Sequence, residues 1–325
     1  MDKILENLIK RDVGKNPFPS KIIVFHSVKA VVLYSGIAIR GIRVLPFTLF
    51  SNISSKRKRY LKRYAWFKFF REKRIKTDEK VLVLHHIWSN GYHHWLCDCL
   101  LKIEQIRPSE YVLFIPESYP KFVFDSLSFF DFREIRKIPS GHALKGSNIT
   151  FVSNIESGYY HLPSLRWLRE ALIAKMGVAI ASRKRKIYIS RSSAGKRCIV
   201  NESEIIPVLE AHGFEITDTS KMSFRDQIEL FSNTEVLLSN HGAGITNCLF
   251  MPEKSQVIEL YRKMSSPSDQ MNLCYYRLAT TLNFKYDCLF VDLADNPEEP
   301  EADRKNIRVN PQELSEFLDR LFKIA

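Results

Sequence analysis

The stretch "SNHGAGITNCLFMP", Ser239 to Pro252, sets His241, Gly242 and Gly244 between two apolar runs. Residues of these types suit three arrangements: a turn whose amides bind a phosphate, an oxyanion hole, or a plain corner between a strand and a helix. An oxyanion hole needs a partner nucleophile, and no G-x-S-x-G occurs in the chain. As a phosphate turn the stretch lacks the third glycine of the dinucleotide fingerprint and the GK[ST] of a P-loop. An anion at this place would gain from bare backbone amides and from a helix dipole equivalent to roughly +0.5 charge. On these residues alone, the anion cradle and the plain corner both stand.

A second constellation lies in "GYHHWLCD". His94 and Asp98 are four residues apart on a predicted helix and so share a face. Such a pair can supply one acid–base group, an imidazole oriented by a carboxylate, or only a packing contact near a helix start. His85, His86, His93, Cys97 and Cys99 crowd the same region and invite a metal reading. Neither the C-x-C nor the H-H spacing is that of a structural zinc site, and no second Cys/His pair lies at a supporting distance. No metal is expected here.

These groups need elements to hold them. In the second half, "KIYISR" (186–191), "FEITDT" (214–219), "EVLLSN" (235–240) and "QVIELY" (256–261) are short, apolar and β-branched, as parallel strands buried on both faces should be. Between them run two predicted helices, one capped by Asn201 and stopped at Gly213, the other starting at Ser223 with Gln227 in its first turn. Alternating strands and helices predict a doubly wound α/β domain, in which "SNHGAGITN" leaves a strand at its carboxyl end, where such sheets bind ligands. The first half repeats the pattern in "KVLVLHHIW", "YHHWLCDCLLKIEQI" and "EYVLFIP". Two α/β domains with a cleft between them are expected, one over 1–160 and the other over 161–309. A C-terminal helix over 310–325 is expected to pack back on the N-terminal domain. The Ser-, Gly- and Asn-rich stretch from Gly141 to Tyr160 reads as the connection.

With 325 residues, 45% of them hydrophobic, the chain can bury two cores. Its net charge of +13 is concentrated. Between Lys56 and Lys76 stand eleven Lys and Arg against Glu72 alone, interleaved with Tyr60, Tyr64, Trp66, Phe67, Phe69 and Phe70. Three readings fit this segment: a solvated basic helix, a contact with an anionic membrane surface, or a nucleic-acid site. No nucleic-acid-binding motif accompanies it, so no nucleic-acid partner is expected. The six cysteines follow no framework spacing, and Met1 begins no charged and apolar leader pattern. A reducing, cytoplasmic setting is expected. The apolar run from Val28 to Phe50 is broken by Lys29, Arg40 and Arg43, so no transmembrane helix is expected.

The segment from Lys186 to Leu260 resembles the signature region of glycosyltransferase family 61, in its bacterial capsular and surface-polysaccharide type. "WSNGYHHWLCDCLLKI" is similar to that family's upstream H-W-x-x-D element. The resemblance implies a GT-B architecture of two facing Rossmann-like domains. It also implies transfer of a sugar, with inversion, from a nucleotide-sugar, a UDP-sugar first, to a saccharide hydroxyl in capsule, lipopolysaccharide or exopolysaccharide synthesis. Carried to this chain, Arg191 and Arg197 fall on the family's basic positions. His241, Gly242, Ala243 and Gly244 fall on its H-G-A-G turn with Asn247 just inside the helix, and all are assigned to the diphosphate. Glu259 falls on a family acid expected to accept from ribose hydroxyls. Arginines and a helix N-terminus neutralise the leaving diphosphate, so metal-independent transfer is expected. An inverting transferase needs a general base, for which Asp98 is favoured with His94 as alternative or helper. Gly91, with Asn90 beside it, stands where the family element often has Asn. The implied partners are the nucleotide-sugar, a saccharide or lipid-linked saccharide acceptor, and an anionic surface met by 56–76 on the inner face of the membrane. A non-catalytic nucleotide- or saccharide-binding protein is the alternative.

Overall fold

A computed structural model describes residues 22–50, 53–154, 156–177, 185–264, 271–294 and 305–322. The chain divides into two units, one spanning Pro17–Lys175 and the other holding Met176–Ala325.

The first unit contains β1 (Val24–Val32), β2 (Ala38–Arg40), β3 (Arg43–Val44), α1 (Ser55–Arg71), β4 (Lys73–Thr77), β5 (Val81–Val83), β6 (Val112–Pro116), α2 (Lys121–Leu127), β7 (Glu134–Ile138), β8 (His142–Val152) and α3 (Leu162–Met176). Among the described residues its strands make one mixed sheet in the order β3-β2-β1-β8-β5-β6-β7, with β4 also paired to β8. β5, β6 and β7 are parallel, as strand–helix–strand units require, whereas β1 runs antiparallel to β8. One face buries Val32, Val81, Val83, Phe114 and Phe151. The other packs Val31, Ile37, Ile39 and Ala143 against Leu61 and Ala65 of α1, whose first turn is capped by Ser54.

The stretch from Gly141 to Tyr160 is not a connection. Most of it is β8, the strand between β1 on one side and β4 and β5 on the other. Its polar composition misleads because Gly146 is there for space: a Cβ would stand 3.0 Å from the Thr77 carbonyl oxygen on β4.

The second unit adds β9 (Arg185–Ile189), α4 (Glu202–Ala211), β10 (Phe214–Thr217), α5 (Phe224–Ser232), β11 (Thr234–Asn240), β12 (Gln256–Arg262), α6 (Cys274–Thr281), β13 (Lys285–Leu293), β14 (Ile307–Arg308) and α7 (Pro311–Phe322). The order is β10-β9-β11-β12-β13-β14, parallel throughout except for β14. Alternate residues of each strand serve opposite layers. Tyr188, Leu238 and Ile258 pack with α4 and α7, while Ile187, Leu237 and Val257 are buried on the other side. α7 lies on its own unit, with Leu314 and Leu318 in that core and Asp319 accepting from His212 Nε2 at 3.0 Å. Asn201 does not cap α4. Its amide bonds the backbone of Val309 through both Nδ2 and Oδ1 and so ties the entry of α7 to α4. α5 is closed by a capping box between Ser223 and Asp226.

Candidate functional site

Strand order fixes where a ligand can sit on the second unit. β10 lies on one side of β9 and β11 on the other, so the direction of winding reverses between β9 and β11, and the crevice outside their carboxyl ends is the ligand position of such sheets. Arg191 follows β9, and His241 and Gly242 follow β11. After Gly242 the chain enters a 3-10 helix, Ala243–Phe250, rather than the expected α-helix.

The glycines of this turn are needed for room, not for an unusual backbone. Gly242 has φ 176, ordinary extended backbone, yet a Cβ there would come 2.6 Å from Arg191 Nη1. Gly244 is less tightly placed, against Ile189, whose Cδ1 would stand 3.2 Å from an added Cβ. The guanidinium of Arg191 therefore rests on the peptide of the turn. Its Nη2 donates to Lys196 O at 3.2 Å, while its buried Nε has no hydrogen-bond partner. Burial, with the like charge of Arg197 second, pulls the Arg191 pKa below its usual value. A guanidinium in that condition gains from an anion. Arg197 has φ 56, a left-handed conformation costing about 1–3 kcal/mol in a non-glycine residue, and Asn240 Nδ2 donates to its carbonyl.

His241 is held from behind. Its Nδ1 pairs with Glu259 Oε1, and the hydroxyl of Tyr286 donates to Glu259 Oε2. Ser239 and Glu259 are register partners on β11 and β12, which sets the acid behind the turn. Glu259, expected to accept from ribose, has no exposed surface; its carboxylate is enclosed by His241 and Tyr286. Asn247, expected at the diphosphate, is enclosed in the same way. It too is fully buried, and its Nδ2 donates to Gln227 Oε1 at 3.0 Å, fastening the 3-10 helix to α5.

Beside His241 a recess of about 20 Å³ is lined by Arg197, Asn240, Tyr261, Arg262 and Lys305. It holds about one water-sized group, so a diphosphate would lie at its mouth. Arg262 and Lys305 were not expected from the sequence. The position of Arg262 at the end of a predicted strand beside Glu259 was the available signal.

In the first unit, His94 and Asp98 meet as their spacing requires. His94 Nδ1 lies 2.7 Å from Asp98 Oδ2. The segment is an α-turn, Tyr92–His94, that widens into a π-helix over Trp95–Cys99 and tightens into a 3-10 helix over Leu100–Gln105. Such local widening is common at functional sites. Asp98 is 1% exposed, whereas the His94 side chain is 31% exposed. The imidazole is thus the member of the pair that solvent or a substrate can reach. His86 Nε2 stands 3.7 Å from Asp98 Oδ2, but burial, with nearby Lys102 second, pushes its pKa well below the usual range and keeps it neutral. Asp98 Oδ1 is buried without a hydrogen bond. The histidines do not converge on a metal site: His93 Nε2 meets the Tyr160 hydroxyl at 3.1 Å, Cys97 and Cys99 are buried, and among the described residues no group of three or more His, Cys, Asp or Glu is placed to hold an ion.

A parallel sheet whose winding reverses between β9 and β11 is a doubly wound α/β sheet, the class whose ligands sit at the strand ends. The glycosyltransferase 61 family pattern matches residues 92–258, half of the chain, from the His94–Asp98 element to β12. The chain belongs to that family. It is 31% identical over 102 residues to an EGF domain-specific O-linked N-acetylglucosamine transferase of Drosophila melanogaster, covering 30% of this chain and 18% of that protein. It is 34% identical over 104 residues, again 30% and 18% of the two chains, to a protein O-linked-mannose beta-1,4-N-acetylglucosaminyltransferase 2 of Xenopus laevis. The mouse EGF domain-specific enzyme is 30% identical over 108 residues, covering 32% and 19%. The matched segments thus span under a fifth of these relatives' length.

Proposed function

We propose that the chain transfers a sugar from a nucleotide-sugar, a UDP-sugar first, to a saccharide hydroxyl, with inversion and within a GT-B architecture. The observation that carries this is the desolvated Arg191 guanidinium resting on the glycine turn at the switch point of the second sheet. Arg191, Arg197 and the amides after Gly242 neutralise the diphosphate as its bond to the sugar C1 breaks, and His241, held by Glu259, donates to a phosphate oxygen or sugar hydroxyl.

The base is His94. Its Nε2 takes the proton of the acceptor hydroxyl as that oxygen bonds to C1, and the nucleoside diphosphate leaves with the electron pair of the broken bond. Asp98 holds Nδ1–H and stabilises the imidazolium. Charge neutralisation by arginine is the ground for proposing metal-independent transfer, in which excess chelator leaves turnover unchanged.

For the acceptor we propose a surface-polysaccharide or lipid-linked saccharide at the inner face of the membrane, supported by the basic, aromatic surface of α1, on which Tyr60, Phe67 and Phe70 are exposed. Among the described residues no helix is long and apolar enough to cross a membrane. The relatives' names point to N-acetylglucosamine as the sugar to try first. The test is release of nucleoside diphosphate across a panel of nucleotide-sugars with saccharide acceptors. Selective turnover of one donor is expected. Binding of a donor without turnover would make the chain a binding protein, and no binding at all would remove the donor site.

A further inference from the structure

We propose that one face of the first unit is a docking site for an anionic lipid surface, with lipid phosphates entering a basic recess beside α1. This deepens the membrane part of the proposed function and does not depend on sugar transfer.

The recess has a volume of about 530 Å³ and is built from four strands and one helix. Lys29 of β1, Arg40 at the end of β2, Lys76 of β4 and Lys145 of β8 line it, with Asp78 as the one acid and Phe69 of α1 as part of the wall. None of the four cations is ion-paired to a carboxylate among the described residues. Only Phe69 belongs to the basic helix, so folding gathers cations that lie far apart in sequence.

The sheet register sharpens the case. Lys76 and Lys145 are Cα partners on β4 and β8, so two like charges stand directly opposite one another on one face. Like charges so placed are unfavourable, and an anion between them removes the conflict. A soluble anion would explain the cations but not their surroundings. Ile42, next to recess-lining Gly41 at the β2–β3 turn, is 85% exposed, and Phe70, next to Phe69, is 79% exposed. Exposed apolar residues next in sequence to two residues of a cationic recess match a surface that offers phosphate and hydrocarbon together.

The full chain is mixed with vesicles of phosphatidylcholine alone, or of phosphatidylcholine with phosphatidylglycerol, and the bound fraction is measured by flotation. Binding is expected only to the mixed vesicles. The double variant Lys76→Gln/Lys145→Gln should bind roughly tenfold or more weakly. Lys62→Gln/Arg63→Gln removes the same charge from α1 outside the recess and should weaken binding by about twofold, a charge loss that salt already screens. Equal weakening by both doubles would overturn the recess while leaving α1 as a membrane contact. No wild-type binding to either vesicle would overturn docking and the membrane reading together. Saturable binding of glycerol phosphate by calorimetry, with no vesicle binding, would assign the recess to a soluble anion and overturn the proposal.

Discussion

The Cα of Gly242 faces Arg191 so closely that a methyl group there would stand 2.6 Å from Nη1. The atom in the way is the end of a flexible side chain, not backbone. Gly242→Ala should therefore leave the melting temperature nearly unchanged while displacing the guanidinium. Nucleoside diphosphate affinity should fall by about tenfold or more, the scale of one charge-assisted contact. Calorimetry and a thermal melt on the same sample check both halves; lost stability with unchanged affinity would contradict the account.

Asp98 and His94 divide one task. Asp98→Asn keeps the shape but leaves the imidazole without a carboxylate to hold Nδ1–H. Turnover should fall by about 100-fold or more with donor affinity within about twofold of wild type. Turnover near the wild-type rate in either Asp98→Asn or His94→Ala would move the base elsewhere.

Asn247 separates a structural role from a binding one. It is fully buried and bonded to Gln227 across the junction of the 3-10 helix and α5. Asn247→Ala should cost about 1–3 kcal/mol of stability, because Gln227 Oε1 is left without its donor. Nucleotide affinity measured well below the melting temperature should be unchanged, and a loss of affinity without a loss of stability would restore Asn247 to the ligand.

Acid should weaken the first unit through its buried histidines. Burial, with the Lys102 charge second, pushes the His85 pKa down to about 3. The unfolded chain binds that proton near pH 6.5, so the unfolded state gains protons first as pH falls. Stability is full above about pH 6.5 and declines between there and about pH 3, by up to roughly 1.4 kcal/mol per pH unit for one such group. His86 is shifted the same way and adds to the slope. Unfolding by urea at several pH values checks this, and His85→Leu should flatten the dependence.

The second sheet was legible in the sequence because its strands are buried on both faces and carry continuous apolar runs, as in "EVLLSN" and "QVIEL". The glycine turn was placed by its company, Arg191 on the strand beside it and Glu259 on the next. The finer chemistry was hidden where partners are distant in sequence. Glu259 read as a strand-end acid because Tyr286, which encloses it, lies 27 residues away. Likewise Asn247 owes its burial to Gln227, 20 residues upstream. In the first half, β8 was missed because Gly146, Ser147 and Asn148 resemble a linker, and a strand that accepts β4 and β5 along one edge leaves no local periodicity to announce it.

The central claim is that the turn after β11 and the arginine after β9 hold the donor's diphosphate. Calorimetric titration of UDP into wild type and Arg191→Ala, without added metal and at fixed low salt, tests it most directly. Saturable binding by the wild type, weakened about tenfold or more in the variant, is the expected result. Equal affinity in the two proteins would contradict it.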